Sequence, residues 1–241
     1  MTRLYDEIKV QARPILEAQG LMDKRVRVEA RALSTEEAIG NPEGDDFPLQ
    51  KGKERLMQAE LEGALGQAFT DRYGDFEGTL KEIFTMPLKN NFRRAVFVAT
   101  LNAALRAQGR AKRTIHCHDQ GPSLCAADLA RHIRTRYGHV RIGQVGFQPA
   151  MAEALAASFP LRVLDMDPDN IGTEKRGVRI EGADAQEDVI AWADLLLVTG
   201  TTLVNDTTAD FLNGKPVLFY GTTIAGAAAL MGWERFCGQA T

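Results

Sequence analysis

The amino-acid sequence predicts an α/β protein in which a Rossmann-like parallel-sheet domain follows a smaller α+β domain. Three observations support this fold class. Strand and helix patterns alternate after residue 109, as they do in parallel sheets. Two apolar runs in that part, over residues 195–198 and 217–220, are continuous, which is typical of strands buried on both faces. The first ninety residues instead favour antiparallel strands, so we place the two domains at residues 1–90 and 91–241.

The N-terminal domain is predicted to contain two helices and three strands. Apolar and charged residues alternate from Arg25 onward, which is the period of a half-exposed strand. The predicted elements are a helix over residues 5–20, strands over 25–32, 55–62 and 66–70, and a helix over 76–85. The polar segment 34–53 separates the first two strands. Because loops of that length in compact domains are usually functional or disordered, this segment is a candidate for function.

The C-terminal domain begins with a helix over residues 91–108, whose wide apolar stripe predicts heavy burial. The next elements are a helix over 123–137, a strand over 140–145, a helix opening at Pro149, a strand over 161–164, a helix over 185–193 and the two apolar strands. Units of this kind connect through right-handed crossovers into one parallel sheet.

Each of the two apolar strands runs directly into the tripeptide Gly-Thr-Thr. Ligands bind at the carboxyl ends of strands in open α/β sheets, and backbone N–H groups and hydroxyls there favour an anion or a polar small molecule. We expect both turns to meet at one sheet edge with Asp165, which follows the strand 161–164. The candidate ligand-binding residues are Gly146, Gly200, Thr201, Thr202, Asn205, Gly221, Thr222 and Thr223.

Residues 143–149 resemble part of a dinucleotide-binding fingerprint. They follow a predicted strand and open a helix, and Asp165 lies 19 residues beyond Gly146, near the usual position of a ribose-binding acid. The spacing, however, is Gly-x-x-Gly, and Phe147 stands where a small residue would let the backbone approach a pyrophosphate. We therefore interpret the segment as a tight turn with proline in the first helical turn, and we expect no NAD.

A cluster of metal-ligand residue types begins at His116. The candidate metal ligands are His116, Cys117 and Cys125, with Cys237 able to join from the C-terminal part. Soft thiolate and imidazole ligands favour zinc, nickel or cobalt over magnesium. The spacing matches no standard zinc module, and Cys125 also falls on the apolar stripe of a predicted helix, so a role in the core is the alternative.

Lys53 and Glu54 end the long polar loop of the N-terminal domain. A basic segment containing glycine suits a lid that closes on an anion, and we expect the loop over residues 40–53 to cover the sheet edge. Lys53, Glu54 and Asp165 are then the candidate catalytic acid/base groups. The alternatives are surface charges before a strand for Lys53 and Glu54, and a solvated turn after a strand for Asp165.

Composition excludes several classes of protein. The net charge of −3 over 241 residues disfavours nucleic acid as the main partner. No apolar run approaches the ~20 residues needed to cross a membrane, and the first residues lack the apolar core of a signal peptide. Three scattered cysteines do not make a disulfide framework, so we expect a reduced, cytoplasmic protein. A homo-oligomer is compatible with this composition.

Several stretches in one order resemble the putative heavy-metal chelation family, a family of unknown function. They are residues 47–54 (FPLQKGKE), 66–71 (GQAFTD), 145–150 (VGFQPA), 164–172 (LDMDPDNIG), 198–205 (VTGTTLVN) and 219–226 (FYGTTIAG). This resemblance covers nearly the whole chain. It implies an enolase N-terminal-like domain joined to a Rossmann-like domain with a site between them, and it links the family to handling of a heavy metal, with a connection to anaerobic cobalamin biosynthesis.

Two functions of different classes follow. The first is binding of a transition metal, or of a metal-chelating small molecule, in the cleft between the domains. The second is an enzyme acting on a small anionic metabolite held by the Gly-Thr-Thr turns, or a sensor that binds such a molecule without turnover. We predict the first function, with the enzyme or sensor as the alternative, and leave catalysis open.

Overall fold

The computed structural model describes residues 3–29, 54–117 and 121–241. Its first part is a four-stranded antiparallel sheet with strand order β3-β2-β1-β4, packed against helices. The elements are α1 (Arg3–Ala18), β1 (Arg25–Glu29), β2 (Arg55–Leu61), β3 (Ala64–Thr70), β4 (Phe76–Thr79), α2 (Leu80–Thr85) and α3 (Asn91–Ala107).

The second part is a seven-stranded sheet with strand order β11-β10-β9-β5-β6-β8-β7. Its strands pair in parallel except for β7, which forms an antiparallel hairpin with β8. The elements are α4 (Gly121–Tyr137), β5 (Ile142–Val145), α5 (Pro149–Ala156), β6 (Leu161–Leu164), β7 (Glu174–Lys175), β8 (Val178–Glu181), α6 (Gln186–Trp192), β9 (Leu195–Thr199), α7 (Thr201–Asn205), β10 (Val217–Tyr220), α8 (Ala225–Met231) and β11 (Arg235–Phe236). The predicted α/β fold class is confirmed.

Helix α3 lies between the two sheets. Every residue from 95 to 105 is buried, because one side of the helix contacts β2 and β3 while another contacts α7 and α8. Packing against β3 is especially close, since a Cβ atom at Gly66 would lie 2.2 Å from the backbone nitrogen of Ala103. The helix therefore belongs to the packing of both sheets, and the division at residue 90 stays a prediction.

The predicted helix over residues 76–85 is wrong in its first half. Residues 76–79 form β4, which pairs with β1, and α2 begins only after Thr79. Thr79 and Glu82 make a capping box, in which each side chain accepts a hydrogen bond from the backbone N–H of the other residue. The strands β7, β8 and β11 were not predicted. β7 and β11 have two residues each, too few to show a period, whereas the alternation of apolar and charged residues in β8, with Val178 and Ile180 buried, could have predicted it. Within the described ranges, no helix is both long and apolar enough to cross a membrane.

Candidate functional site

A cavity of about 730 Å³ opens where the carboxyl ends of the parallel strands face the four-stranded sheet. Its floor comes from the residues that end or follow β5, β6, β9 and β10. The opposite wall comes from Glu54, Phe69 and Asp71, at one end of β2 and β3, and from Asn91 at the start of α3. This is the edge at which the strand pattern predicted a ligand site.

Most of the residues proposed from the sequence line this cavity. They are Glu54, His116, Cys117, Cys125, Gly146, Asp165, Gly200, Thr201, Thr202, Asn205, Gly221 and Thr223. Thr222 is the exception among the described residues. Lys53 and the loop over residues 40–53 lie outside the described residues, so their placement over the sheet edge stays a prediction.

The proposal that Thr222 binds a ligand is not supported by its position. Its side chain is fully buried and does not line the cavity, while its carbonyl accepts a hydrogen bond from Asn102 Nδ2 at 3.2 Å. The hydroxyl of Thr202 is also occupied, since it donates to Thr199 O at 2.8 Å. All three residues of the first turn line the cavity, whereas in the second turn Gly221 and Thr223 line it and Thr222 does not.

The two Gly-Thr-Thr turns support each other. The backbone N–H of Gly200 donates to Tyr220 O at 2.9 Å, and a Cβ atom at Gly200 would lie 2.7 Å from the backbone nitrogen of Ile224. Gly221 adopts a φ of +89°, which favours glycine. The glycines are therefore required by the close approach of two backbones and by one left-handed turn, independently of any ligand.

The turn after β5 is held by a tyrosine and a carboxylate. Tyr220 donates its hydroxyl to Val145 O at 3.1 Å and to Gly146 O at 2.7 Å, and burial raises its pKa far above the usual range. Asp165 accepts hydrogen bonds from Phe147 N at 2.6 Å and Asp167 N at 2.7 Å. Because both of its oxygens accept backbone N–H groups, the carboxylate of Asp165 is suited to positioning this loop.

Carboxylates dominate one end of the cavity. Burial of the Glu54 carboxyl, together with the nearby charges of Asp165, Asp71 and Asp167, raises its pKa from 4.5 to about 7. All four residues line the cavity, whereas no Lys or Arg is found among its described lining residues. The potential at this end therefore favours a cation over an anion.

An amide network that the sequence did not reveal joins the wall to the floor. Asn91 Nδ2 donates to Asp71 Oδ1 at 2.6 Å and to Asn205 Oδ1 at 3.1 Å. Arg94 donates in turn to Asn91 Oδ1 and, from Nε at 2.5 Å, to Val204 O. Asn91 connects the small sheet to helix α7, and only its position as the first residue of a helix could have drawn attention to it.

Three thiols lie at another part of the cavity lining. Cys117, Cys125 and Cys237 are all free, and their charges would influence one another. Burial raises the pKa of Cys117 to about 12 and that of Cys237 to about 11. Next to them, the ring of His116 packs edge-on against Phe69 with centroids 5.2 Å apart.

The metal-ligand set proposed from the sequence is not arranged as a coordination site. Within residues 3–29, 54–117 and 121–241, no group of three or more His, Cys, Asp or Glu side chains is placed to hold one ion. Cys125 packs in the core with Leu129 and Ile133, and burial raises the pKa of its thiol. The alternative of a core cysteine is therefore the better description of Cys125.

The structure is that of an α/β protein with a cavity at the carboxyl ends of its parallel strands. Residues 128–223 match the model of the DUF364 family, described as "Putative heavy-metal chelation". The resemblance to this family predicted from the sequence is confirmed over that range. No curated protein gave a significant match.

Two solved structures of DUF364 proteins with unknown function are similar to this chain. The protein from Pyrococcus horikoshii superposes with a TM-score of 0.58 at 17% identity, over 91% of this chain and 79% of its own. The protein from Desulfitobacterium hafniense DCB-2 gives a TM-score of 0.50 at 16% identity, over 73% of this chain and 72% of its own. At these identities the similarity establishes the α/β fold and no more.

Proposed function

We propose that the cavity binds a small metal-chelating molecule or its metal complex. The observation that carries this proposal is the combination of volume and charge. A cavity of about 730 Å³ falls in the range of about 300–1,000 Å³ that is typical of sites for organic ligands, and it is far larger than a bare ion needs. Donors arranged for a bare ion are not found among the described residues, so an organic molecule that carries the metal suits the site better.

The charge of the ligand follows from the carboxylate end. Glu54 shares its surroundings with three aspartates, and this concentration of negative charge would repel an anion in the absence of described basic residues. Elsewhere the lining contains apolar side chains such as Phe147, Met151 and Phe211. The ligand that fits is therefore an organic, partly apolar molecule with a cationic centre. The connection to anaerobic cobalamin biosynthesis implied by the family resemblance would make cobalt the metal of such a complex.

The test is thermal unfolding and calorimetric titration of the protein with three probes. These are the cationic 1:1 cobalt(II)–bipyridine complex, cobalt(II) salt alone and citrate. We expect the complex to raise the unfolding temperature most, since a ligand at about 100 times its Kd stabilises the folded state by about 2.7 kcal/mol. Thr201→Leu, inside the cavity, should weaken binding. Thr85→Leu, at an exposed position on α2, is the matched control.

A second function is favoured by one observation. A carboxyl group with a pKa of about 7 in a cavity is suited to general acid/base catalysis near neutral pH, and Glu54 is such a group. An enzyme acting on a small metabolite would become the better description if citrate, but not the cobalt complex, stabilised the protein. Binding by neither probe would contradict both functions.

A further inference from the structure

We propose that Asp71 is the carboxylate that contacts the cationic centre of the ligand, and that Asn91 is the positioning residue that aims it into the cavity. This inference rests on the proposed function and names the residues that make the site prefer a cation. Asp71 and Asn91 both line the cavity, on the wall formed by the end of the small sheet and the start of α3. Their side chains are in direct contact, since Asn91 Nδ2 donates to Asp71 Oδ1 at 2.6 Å.

The pairing of β2 with β3 fixes the backbone at Asp71. Glu54 directly precedes β2 and Asp71 directly follows β3, and because the adjoining ends of these strands pair with each other, the two residues lie side by side. Just beyond β3, the hydroxyl of Thr70 accepts from Arg72 N at 3.1 Å and donates to Arg72 O at 2.9 Å. Asp71 therefore lies in a turn held on both sides, and the freedom that remains is that of its own side chain.

Arg94 decides which way the amide of Asn91 points. A guanidinium can only donate hydrogen bonds, so the oxygen Oδ1 of Asn91 must face Arg94, which donates to it. Arg94 is itself held by hydrogen bonds from Nε to Val204 O at 2.5 Å and from Nη1 to Leu88 O at 3.2 Å. The donor group Nδ2 of Asn91 is thereby turned toward Asp71, and the hydrogen-bond network fixes this orientation of the amide.

A neutral donor leaves the charge of Asp71 available to a ligand. Asn91 occupies one oxygen of this carboxylate. Among the described residues, the other oxygen, Oδ2, accepts no hydrogen bond, and no Lys or Arg forms an ion pair with Asp71. A lysine or arginine in place of Asn91 would neutralise the carboxylate. Because the side chain of Asp71 is already held in one orientation, it loses less conformational entropy when it binds a cation.

The other carboxylates at this end of the cavity are less suited to the contact. Both oxygens of Asp165 accept backbone N–H groups, and Asp167 Oδ1 accepts from Asp169 N at 3.0 Å. Burial raises the pKa of Glu54 to about 7, so near neutral pH this carboxyl carries only part of a negative charge. Asp71 therefore combines a fixed position with an oxygen that no described residue occupies.

The experiment compares two complexes with the same metal and ring system by calorimetric titration at pH 7. These are the cationic 1:1 cobalt(II)–bipyridine complex and the neutral 1:1 cobalt(II) complex of a bipyridine dicarboxylate. We expect the wild-type protein to prefer the cationic complex. Asp71→Asn should reduce this preference by about 10- to 100-fold, as expected for the loss of one contact to a charged group. Asn91→Ala should reduce it by about tenfold, the lower end of what loss of a supporting contact costs at metal sites.

Asn90→Ala is the matched control. Asn90 caps α3 by accepting from Arg93 N at 2.9 Å and does not line the cavity, so its loss should lower the unfolding temperature without changing the preference. Equal affinity of the wild-type protein for both complexes would overturn this inference alone. So would an unchanged preference in Asp71→Asn or Asn91→Ala, or an equal loss in Asn90→Ala. If neither complex binds, the chelate-binding function fails, and this inference fails with it.

Discussion

Replacing Asn102 with alanine tests the connection between the two sheets. Asn102 is fully buried in the middle of α3. Its Nδ2 donates to Gln67 O at 2.9 Å and to Thr223 O at 3.0 Å. Its Oδ1 accepts from Gly226 N at 2.6 Å. One amide therefore joins the small sheet, the second Gly-Thr-Thr turn and the start of α8.

The cost of this substitution can be estimated from the groups that lose a partner. A buried polar group without a partner costs about 1–3 kcal/mol. Asn102→Ala leaves the buried N–H of Gly226 without its acceptor and removes the donor from the carbonyls of Gln67 and Thr223. The carbonyl of Thr222 is a third acceptor of Asn102 Nδ2, but it also accepts a hydrogen bond from Ala225 N at 3.0 Å. It therefore keeps one partner in the variant and adds less to the cost. We expect the free energy of unfolding to fall by about 3–5 kcal/mol.

The measurement is urea unfolding of wild type and variant, with the slope m compared to confirm that the unfolded states are alike. Thr100→Val, two residues earlier in the same helix, is the matched control. Thr100 is equally buried, but its hydroxyl has no hydrogen-bond partner among the described residues, so its removal should be neutral or stabilising. A loss below about 1 kcal/mol in Asn102→Ala, or an equal loss in both variants, would refute the reasoning.

Two further predictions concern the cavity. The pKa of Glu54 is about 7 in the folded protein against 4.5 ordinarily, so the folded state retains a proton between these values and loses stability as the pH rises through them. Glu54→Gln should therefore be more stable than wild type at pH 8, by up to about 3 kcal/mol. In unfolding curves measured across pH, this difference in the free energy of unfolding should vanish below pH ~4.5. A difference that does not depend on pH would show that the pKa of the Glu54 carboxyl is not raised. Gly146 has a φ of +86°, and a Cβ atom there would lie 2.8 Å from Thr199 Cγ2 and 3.0 Å from Tyr220 Oη. Gly146→Ala should destabilise the protein by more than the ~1–2 kcal/mol of a left-handed alanine and should reduce chelate binding. Gly214→Ala, with a φ of +90° and open space around it, measures that conformational cost alone, and equal losses at both positions would argue against crowding at Gly146.

The parallel sheet could be predicted because its signals are local. Continuous apolar runs identify β9 and β10 wherever they fold, and glycine with threonine at their ends marks the sheet edge that faces the cavity. The same argument brought Gly200, Thr201 and Gly221 to one site. It did not separate Thr222, whose side chain is buried, from the residues that line the cavity. The helices that pack against a turn decide which of its hydroxyls is buried.

Residues whose role depends on distant partners could not be found in this way. Asn102 lies in an apolar helix, and no neighbouring residue in the sequence marks it as important. It joins the two sheets only because β3 and the second Gly-Thr-Thr turn approach it from two sides. The first half of the predicted helix 76–85 is a strand for a similar reason, because pairing with β1 decided a weak local preference.

The sequence by itself determined the fold class, the strand ends and the chemical types of the site residues, because these follow from periodicity and from what each side chain can do. The tertiary structure decided their arrangement. It paired the backbone of Ile115 with that of Thr241, and it gathered Glu54 with three aspartates so that the pKa of Glu54 rises. Distances between segments far apart in the chain, and the burial that they create, arise only when the two sheets pack together.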